Sequence, residues 1–350
     1  MAECGRGRRS GGGLLKRARH MEMNSFFDTV YPADALEFCP HHNASDVFVC
    51  GTYYLDTAAS QGPVQKRTGQ CLVFQVEQDK KFHKIQTIQL PAVPDMKWCH
   101  GTSRDAPLLA IADSEGHVSL HQWQESRLQS HSSLSCASSD ILCLSLDWSN
   151  RRNTSADASL VVSLSNGSLC LLRMDDQGSA SGLRAIETWA AHDFEPWIAA
   201  WDYWDASIIY SGGDDLKLKM WDTRQGFLQP SLTNKRFEAG VTSIQSHPHA
   251  EHTLAVGSYD NTVRIFDKRK LLAPMTQIDV GGGAWRVKWH PLPTRKDDLL
   301  VACMHDGFKI VQHASLAYGV DWSFAPTDAN KETLVASCSF YDHALHLWSA

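Results

Sequence analysis

A unit that repeats along this chain constrains its fold more than any other feature. A short apolar strand runs into an acidic or amide-bearing tight turn and then into an alternating strand. Clear copies are IADSEGHVSL (111–120), VSLSNGSLCLL (162–172), YSGGDDLKLKMWD (210–222), VGSYDNTVRIFD (256–267), ACMHDGFKIV (302–311) and CSFYDHALHLW (338–348). Their turn residues Glu115, Asn166, Asp215, Asp260, Asp306 and Asp342 lie 51, 49, 45, 46 and 36 positions apart, intervals that match one propeller blade each. Asp and Asn suit the reversal because they tolerate left-handed backbone and bond their own main chain.

A second signature precedes each copy, a strand ending near an aromatic residue or Pro: ALEFCP, DMKWCH, SLDWSN, IAAWDYW, SIQSHP, RVKWHP and GVDWSF. The first is followed by VFVCGTYYL (47–55), a polar loop at 56–69 and QCLVFQV (70–76), which supply the blade missing from the first series. A small twisted sheet has two apolar faces and buries both only when sheets stack radially. The chain is therefore expected to be all-β, a seven-bladed WD-repeat β-propeller over residues 24–350. It stops two residues after Trp348, so the last blade lacks an outer strand. SFFDTVY (25–31) is placed to supply that strand, closing the ring and removing exposed edges.

Residues 1–23 read as a disordered basic tail. Arg6, Arg8, Arg9, Lys16, Arg17 and Arg19 stand against Glu3 in the first twenty residues, a local +5 that leaves −11 for the rest of a chain of net charge −6. An acidic body is a poor match for a phosphate backbone, so no nucleic-acid partner is expected. No apolar run approaches a membrane span, so no membrane partner is expected either. The ten cysteines sit singly, mostly in apolar strand runs and without CxxC. They read as reduced thiols of a cytoplasmic or nuclear protein, expected to be a monomer.

Familiar catalytic signatures are absent: no G-x-S-x-G, no Walker A loop, no G-x-G-x-x-G after a strand, no HExxH. HPHAEH offers His247, His249 and His252 in a loop without ligand spacing, so no metal is expected. His192, Asp215, Ser211 and Trp221 fall in one blade and read as a buried structural hydrogen-bond network. The central opening, on the face built from inter-blade loops and tight turns, should gather Glu195, Trp197, Tyr259, Trp285, Arg286, His305, Tyr318, Tyr341 and His343. Aromatics with a few charges around one opening make a binding site; the same residues could also merely plug blade junctions.

The wording of the repeats carries a resemblance. DMKWCH (95–100), SLDWS (145–149), WIAA (197–200), YSGGDD (210–215), WDTR (221–224), GSYD (257–260), WRVKWHP (285–291), ACMH with GFKI (302–310) and SCSFYDHALHLW (337–348) are similar to the eukaryotic diphthine methyl ester hydrolase family, also called diphthine methyltransferase. The likeness spans roughly residues 28–350. Two departures are the basic Gly-rich start and a short link between DWSF (321–324) and the final blade.

The resemblance implies hydrolysis of the methyl ester on a modified histidine of translation elongation factor 2, giving diphthine and methanol in diphthamide biosynthesis. No cofactor is expected, S-adenosylmethionine included. Trp and Tyr faces attract a quaternary ammonium, so Trp197, Trp285, Tyr259, Tyr318 and Tyr341 are the expected substrate-binding cage, with Glu195 adding negative charge. Ester cleavage needs a base or nucleophile and an oxyanion donor. The candidates are His305 and His343 as bases, Arg286 as donor, and water, Cys303, Ser339 or Cys338 as nucleophile. The alternative is a non-catalytic WD-repeat scaffold that binds the elongation factor or another complex.

Overall fold

The computed structural model of the chain describes residues 23–56, 66–101, 106–152, 158–175, 182–304, 315–327 and 331–350. Its strands form antiparallel sheets in chain order. The first holds Ala33–Phe38, Val47–Thr52 resuming as Tyr54–Asp56, Lys66–Val76 and Phe82–Pro91. The second holds Asp95–Trp98, Leu108–Ala112, His117–Gln124 and Arg127–Ser135. The third holds Cys143–Trp148, Ser159–Leu164, Ser168–Asp175 and Gly182–Ala190. The fourth holds Ile198–Trp201, Ile208–Gly212, Leu218–Asp222 and Leu232–Asn234, and the fifth Val241–Ser246, Thr253–Ser258, Thr262–Asp267 and Thr276–Asp279.

Next come the pair Ala284–Trp289 and Leu299–Cys303, then a closing sheet of Ala317–Trp322, Leu334–Ser339, Ala344–Ser349 and Met23–Asp28. Among the described residues six sheets are complete blades and the remaining one has two strands. The expectation of seven four-stranded blades is corrected to that extent: FKIV (308–311), the expected third strand of the incomplete sheet, lies outside the described residues.

All seven aromatic- or Pro-ended signatures are the first strands of these sheets, and each first strand contacts the next around a closed ring. Side chains stitch the ring together. The last residue of one first strand donates its backbone N–H to the penultimate side chain of the preceding one: Phe38 to Asp321 Oδ2 at 2.9 Å, Trp201 to Asp147 Oδ2 at 2.9 Å, Trp289 to Gln245 Oε1 at 2.5 Å. Two residues earlier the same relation joins Leu146 to Asp95, Ala199 to Ser145 and Val287 to Ser243. These bonds explain why polar residues occupy fully buried strands, since each would otherwise leave a buried donor and acceptor unmet. Apolar clusters fill the space between neighbouring sheets, as where Phe38, Phe48 and Phe74 of the first meet Cys338, Leu345 and Leu347 of the closing sheet. Gly212 allows this stacking, because a Cβ there would lie 2.3 Å from Val241 Cγ1 of the next sheet.

The tight turns share one device. Asn166, Asp215, Asp260 and Asp342 each accept a backbone N–H two residues on, at 3.1, 3.3, 3.2 and 3.5 Å. The left-handed position is the residue after each: Gly167, Leu216, Asn261 and His343, with φ of 88°, 61°, 65° and 56°. The first turn departs from expectation. Glu115 is exposed, and Asp113 accepts from Glu115 N and His117 N instead. Asp306 lies outside the described residues. The polar loop expected at 56–69 is also shorter, because Tyr54–Asp56 pairs with Lys66–Thr68.

In the fourth sheet the expected network is present. His192 joins Asp215 Oδ1 at 2.8 Å and Ser211 Oγ at 2.7 Å, and the Trp221 indole donates to the same hydroxyl at 2.9 Å. Burial lowers the His192 pKa, against the pull of Asp215. A neutral imidazole tying two strands and a turn together is a structural element, satisfied at both nitrogens.

Candidate active site at the ring opening

Counting four residues back from the end of each first strand gives Asp34, Pro94, Leu144, Trp197, Thr242, Trp285 and Tyr318. All but Thr242 line one cavity of about 500 Å³, joined by Tyr53, Arg67, Asp140, Leu142, Ser165, Glu195, Tyr259 and Phe340 from the loops and turns. The fold thus makes the site by register: one position per blade faces the opening, and its identity sets the chemistry of that sector. The volume suits a modified side chain or small ligand.

Five aromatic rings form a continuous arc. Trp197 meets Tyr259 edge-on at 6.4 Å and Trp285 at 5.6 Å, and Tyr259 stacks on Trp285 at 5.8 Å. Trp285 continues to Tyr318 at 5.0 Å, and Tyr318 to Phe340 at 5.0 Å. The charge on the wall is mostly negative, with Asp34, Asp140 and Glu195 against Arg67. An apolar cavity with negative charge and several π faces favours a cation.

Asp34 is the group that reading the sequence missed. Only 7 % of it is exposed, and its Oδ1 has no hydrogen-bond partner among the described residues. Burial pushes its pKa up to about 7, the charge of Arg286 opposing and that of Asp95 adding to the rise. ADALEF reads as an ordinary core strand, and only alignment of the seven first strands by their last residue would have put Asp34 in the row of Trp197, Trp285 and Tyr318.

The other expected site residues are distributed as follows. Glu195, Trp197, Tyr259, Trp285 and Tyr318 are brought together on the cavity wall. Tyr341 is 69 % exposed and meets Phe340 edge-on at 5.0 Å, so it belongs to the outer rim. Arg286 is buried beneath Trp285, its guanidinium 5.0 Å from that ring's centroid and 3.9 Å from Asp95. Its nearest acceptors are the carbonyls of Trp285 and Pro94, which turns it toward the protein and away from a substrate oxyanion. Cys303 is fully buried in the cluster that its own sheet's Ala284, Val287 and Trp289 form with Ala255 and Val263 of the fifth sheet. Cys338 is likewise core, and Ser339 donates to Asp342. His343 holds the left-handed turn position, and its carbonyl accepts from Thr29 N and Thr29 Oγ1. His305 lies outside the described residues. No group of three or more metal-ligating side chains converges among the described residues; His247 and His249 instead bond the carbonyls of Lys296 and Pro291.

Comparison with known proteins places these features. Residues 230–267 match the model of the WD domain, G-beta repeat. The chain is 36 % identical to the diphthine methyltransferase homolog of Dictyostelium discoideum, covering 91 % of this chain and 96 % of that protein. It is 39 % identical to the diphthine methyltransferase of Mus musculus, over 85 % of this chain and 68 % of that protein. With the Homo sapiens diphthine methyltransferase it shares 38 % identity, over 85 % and 74 %. Among solved structures, a chain of a mitotic checkpoint complex superposes with a TM-score of 0.68 at 16 % identity, covering all of this chain and 98 % of that one. At that identity the likeness concerns the propeller fold alone.

Proposed function

This chain belongs to the diphthine methyltransferase family, and on that premise we propose that it is a carboxylic ester hydrolase acting on the methyl ester of methylated diphthine on translation elongation factor 2. Water is the acceptor, and diphthine and methanol are the products, in diphthamide biosynthesis. The observation that carries the reading is the aromatic arc around a negatively charged cavity. The substrate side chain bears a trimethylammonium group, which gains about 0.5–2 kcal/mol from a desolvated aromatic face.

The finer parts of the reading follow from the same features. A seventh blade is supported by the place of the two-stranded sheet, whose first strand lies between those of the fifth and closing sheets. The described cysteines are free thiols, which supports a reducing compartment such as the cytoplasm. The elongation factor presents its modified side chain to the opening, and a monomeric ring suffices for that.

Trp285→Leu keeps a smaller apolar side chain at the position but removes the central π face of the arc. We expect roughly tenfold weaker binding of elongation factor 2 carrying methylated diphthine, the equivalent of ~1.4 kcal/mol, with a melting temperature within a few degrees of wild type. Unchanged affinity measured by titration calorimetry would remove Trp285 from the cage.

A further inference from the structure

The ring opening holds a buried acid with a carboxylate oxygen left unpartnered among the described residues. We propose that Asp34 is the general base of the ester cleavage, taking a proton from the attacking water and returning it to the departing methoxide. The proposal rests on the esterase reading and deepens it. Balanced, the step is simple: the water oxygen bonds to the ester carbonyl carbon as its proton passes to Asp34. The tetrahedral oxyanion then collapses, the bond from carbon to methoxy oxygen breaks, and the Asp34 proton leaves with methanol.

Three observations converge on Asp34. Its register is that of the cavity wall, where the corresponding lining residues of other blades are Pro94, Leu144, Trp197, Trp285 and Tyr318, so it is the charged member of that row. It is more than nine-tenths buried, yet Oδ1 has no partner among the described residues, whereas the buried Asp95, Asp147 and Asp321 all accept backbone N–H bonds. A structural buried acid is paired; an unpaired one on a cavity wall has its lone pairs available to a ligand. The carboxyl also titrates where a general base works best, at about 7, because burial disfavours its charge while Arg286 limits the rise. The arrangement makes Arg286 a positioning residue, tuning Asp34 from below the cavity floor.

The groups facing Asp34 do not blur its titration. Asp95 acts on it from the adjoining first strand and Arg286 from the first strand one further round the ring. Cys50, Tyr53, Tyr259 and Tyr318 feel its charge, and each has its pKa raised, Cys50 mainly by its Cys338 hydrogen bond and the tyrosines by burial, so they stay protonated near neutrality.

The test uses the full chain and elongation factor 2 bearing methylated diphthine. Wild type should show kcat/KM rising with pH to a plateau above about pH 7, since the base must be ionised. Asp34→Asn should lower the rate by about 10²–10⁴-fold and abolish that inflection. It should also melt no lower than wild type. A carboxyl whose folded pKa lies above its unfolded value costs stability as pH rises from about 4 through about 7, and the amide escapes that cost. In H₂¹⁸O, a single wild-type turnover should place one label in the diphthine carboxylate and none in Asp34. A pH-independent wild-type rate, label in Asp34, or Asp34→Asn turnover within a few fold of wild type would each overturn the assignment while leaving the esterase reading intact. No methanol from wild type would overturn both.

Discussion

Deleting residues 24–31 is expected to abolish the folded ring, while deleting residues 1–20 leaves thermal unfolding where it is in the full chain. Met23–Asp28 is the outer strand of the closing sheet, in antiparallel register from Ser25 opposite Leu347 to Asp28 opposite Ala344. Beyond the ladder, Thr29 bonds the His343 carbonyl, Phe27 packs edge-on against Phe74 at 5.0 Å, and Phe26 meets His346 at 5.3 Å. A handful of backbone bonds at about 1 kcal/mol each, plus burial of an aromatic side chain at about 1.5–3 kcal/mol, is comparable to the roughly 5–15 kcal/mol that holds a whole domain together. The deletion also leaves Ala344–Ser349 as an open edge inviting aggregation. The described ladder begins at Met23. Equal loss of soluble, cooperatively melting protein in the two deletions would refute the contrast.

Lys288→Met should cost about 3–5 kcal/mol, because it leaves buried carboxylates without their cation. Lys288 Nζ lies 2.6 Å from Glu37 and 3.5 Å from Asp321, and Lys97 holds Glu37 from the other side at 2.7 Å. Burial works against the Glu37 charge, but Lys288, Lys97 and Arg151 outweigh it and keep its pKa below the ordinary range. That contribution is present above the unfolded pKa and fades as pH falls. Without Lys288, Asp321, which burial already pushes up to about 6, loses the charge that opposes that rise, and Glu37 keeps only Lys97 and Arg151, so the variant falls further below wild type as rising pH ionises these carboxyls. The variant's deficit should therefore be greatest near pH 8 and shrink toward pH 5, read as melting temperatures across that range. A deficit that is constant with pH would mean that lost packing, and not stranded charge, is responsible.

Much of the ring was legible because its signals are local. Each first strand announces itself by an aromatic or Pro end and each described turn by an Asp or Asn, and SFFDTVY reads as a strand ahead of the first blade. His192, Asp215, Ser211 and Trp221 were also legible, since they fall within one repeat. The site was legible only in part. Trp197, Trp285 and Tyr318 stand out as bulky residues opening strands, but the surroundings of Asp34 come from Asp95 in the next blade and from Arg286 in a blade reached only when the ring closes. His343 and Cys303 drew attention by residue type; their backbone and packing roles depend on φ and on sheet stacking, which composition does not reveal. Glu115 misled because it stands between Asp113, which makes the turn bonds, and Gly116, which takes the left-handed backbone.

The most direct measurement of the central claim incubates purified protein, without S-adenosylmethionine, with elongation factor 2 carrying methylated diphthine, and follows the modified peptide by mass spectrometry. The account predicts a loss of about 14 Da, one methylene, matched mole for mole by released methanol, as base-assisted attack of water on the ester requires. An unchanged peptide that nevertheless stays tightly bound to the ring would contradict it and leave a scaffold that presents the elongation factor to another enzyme.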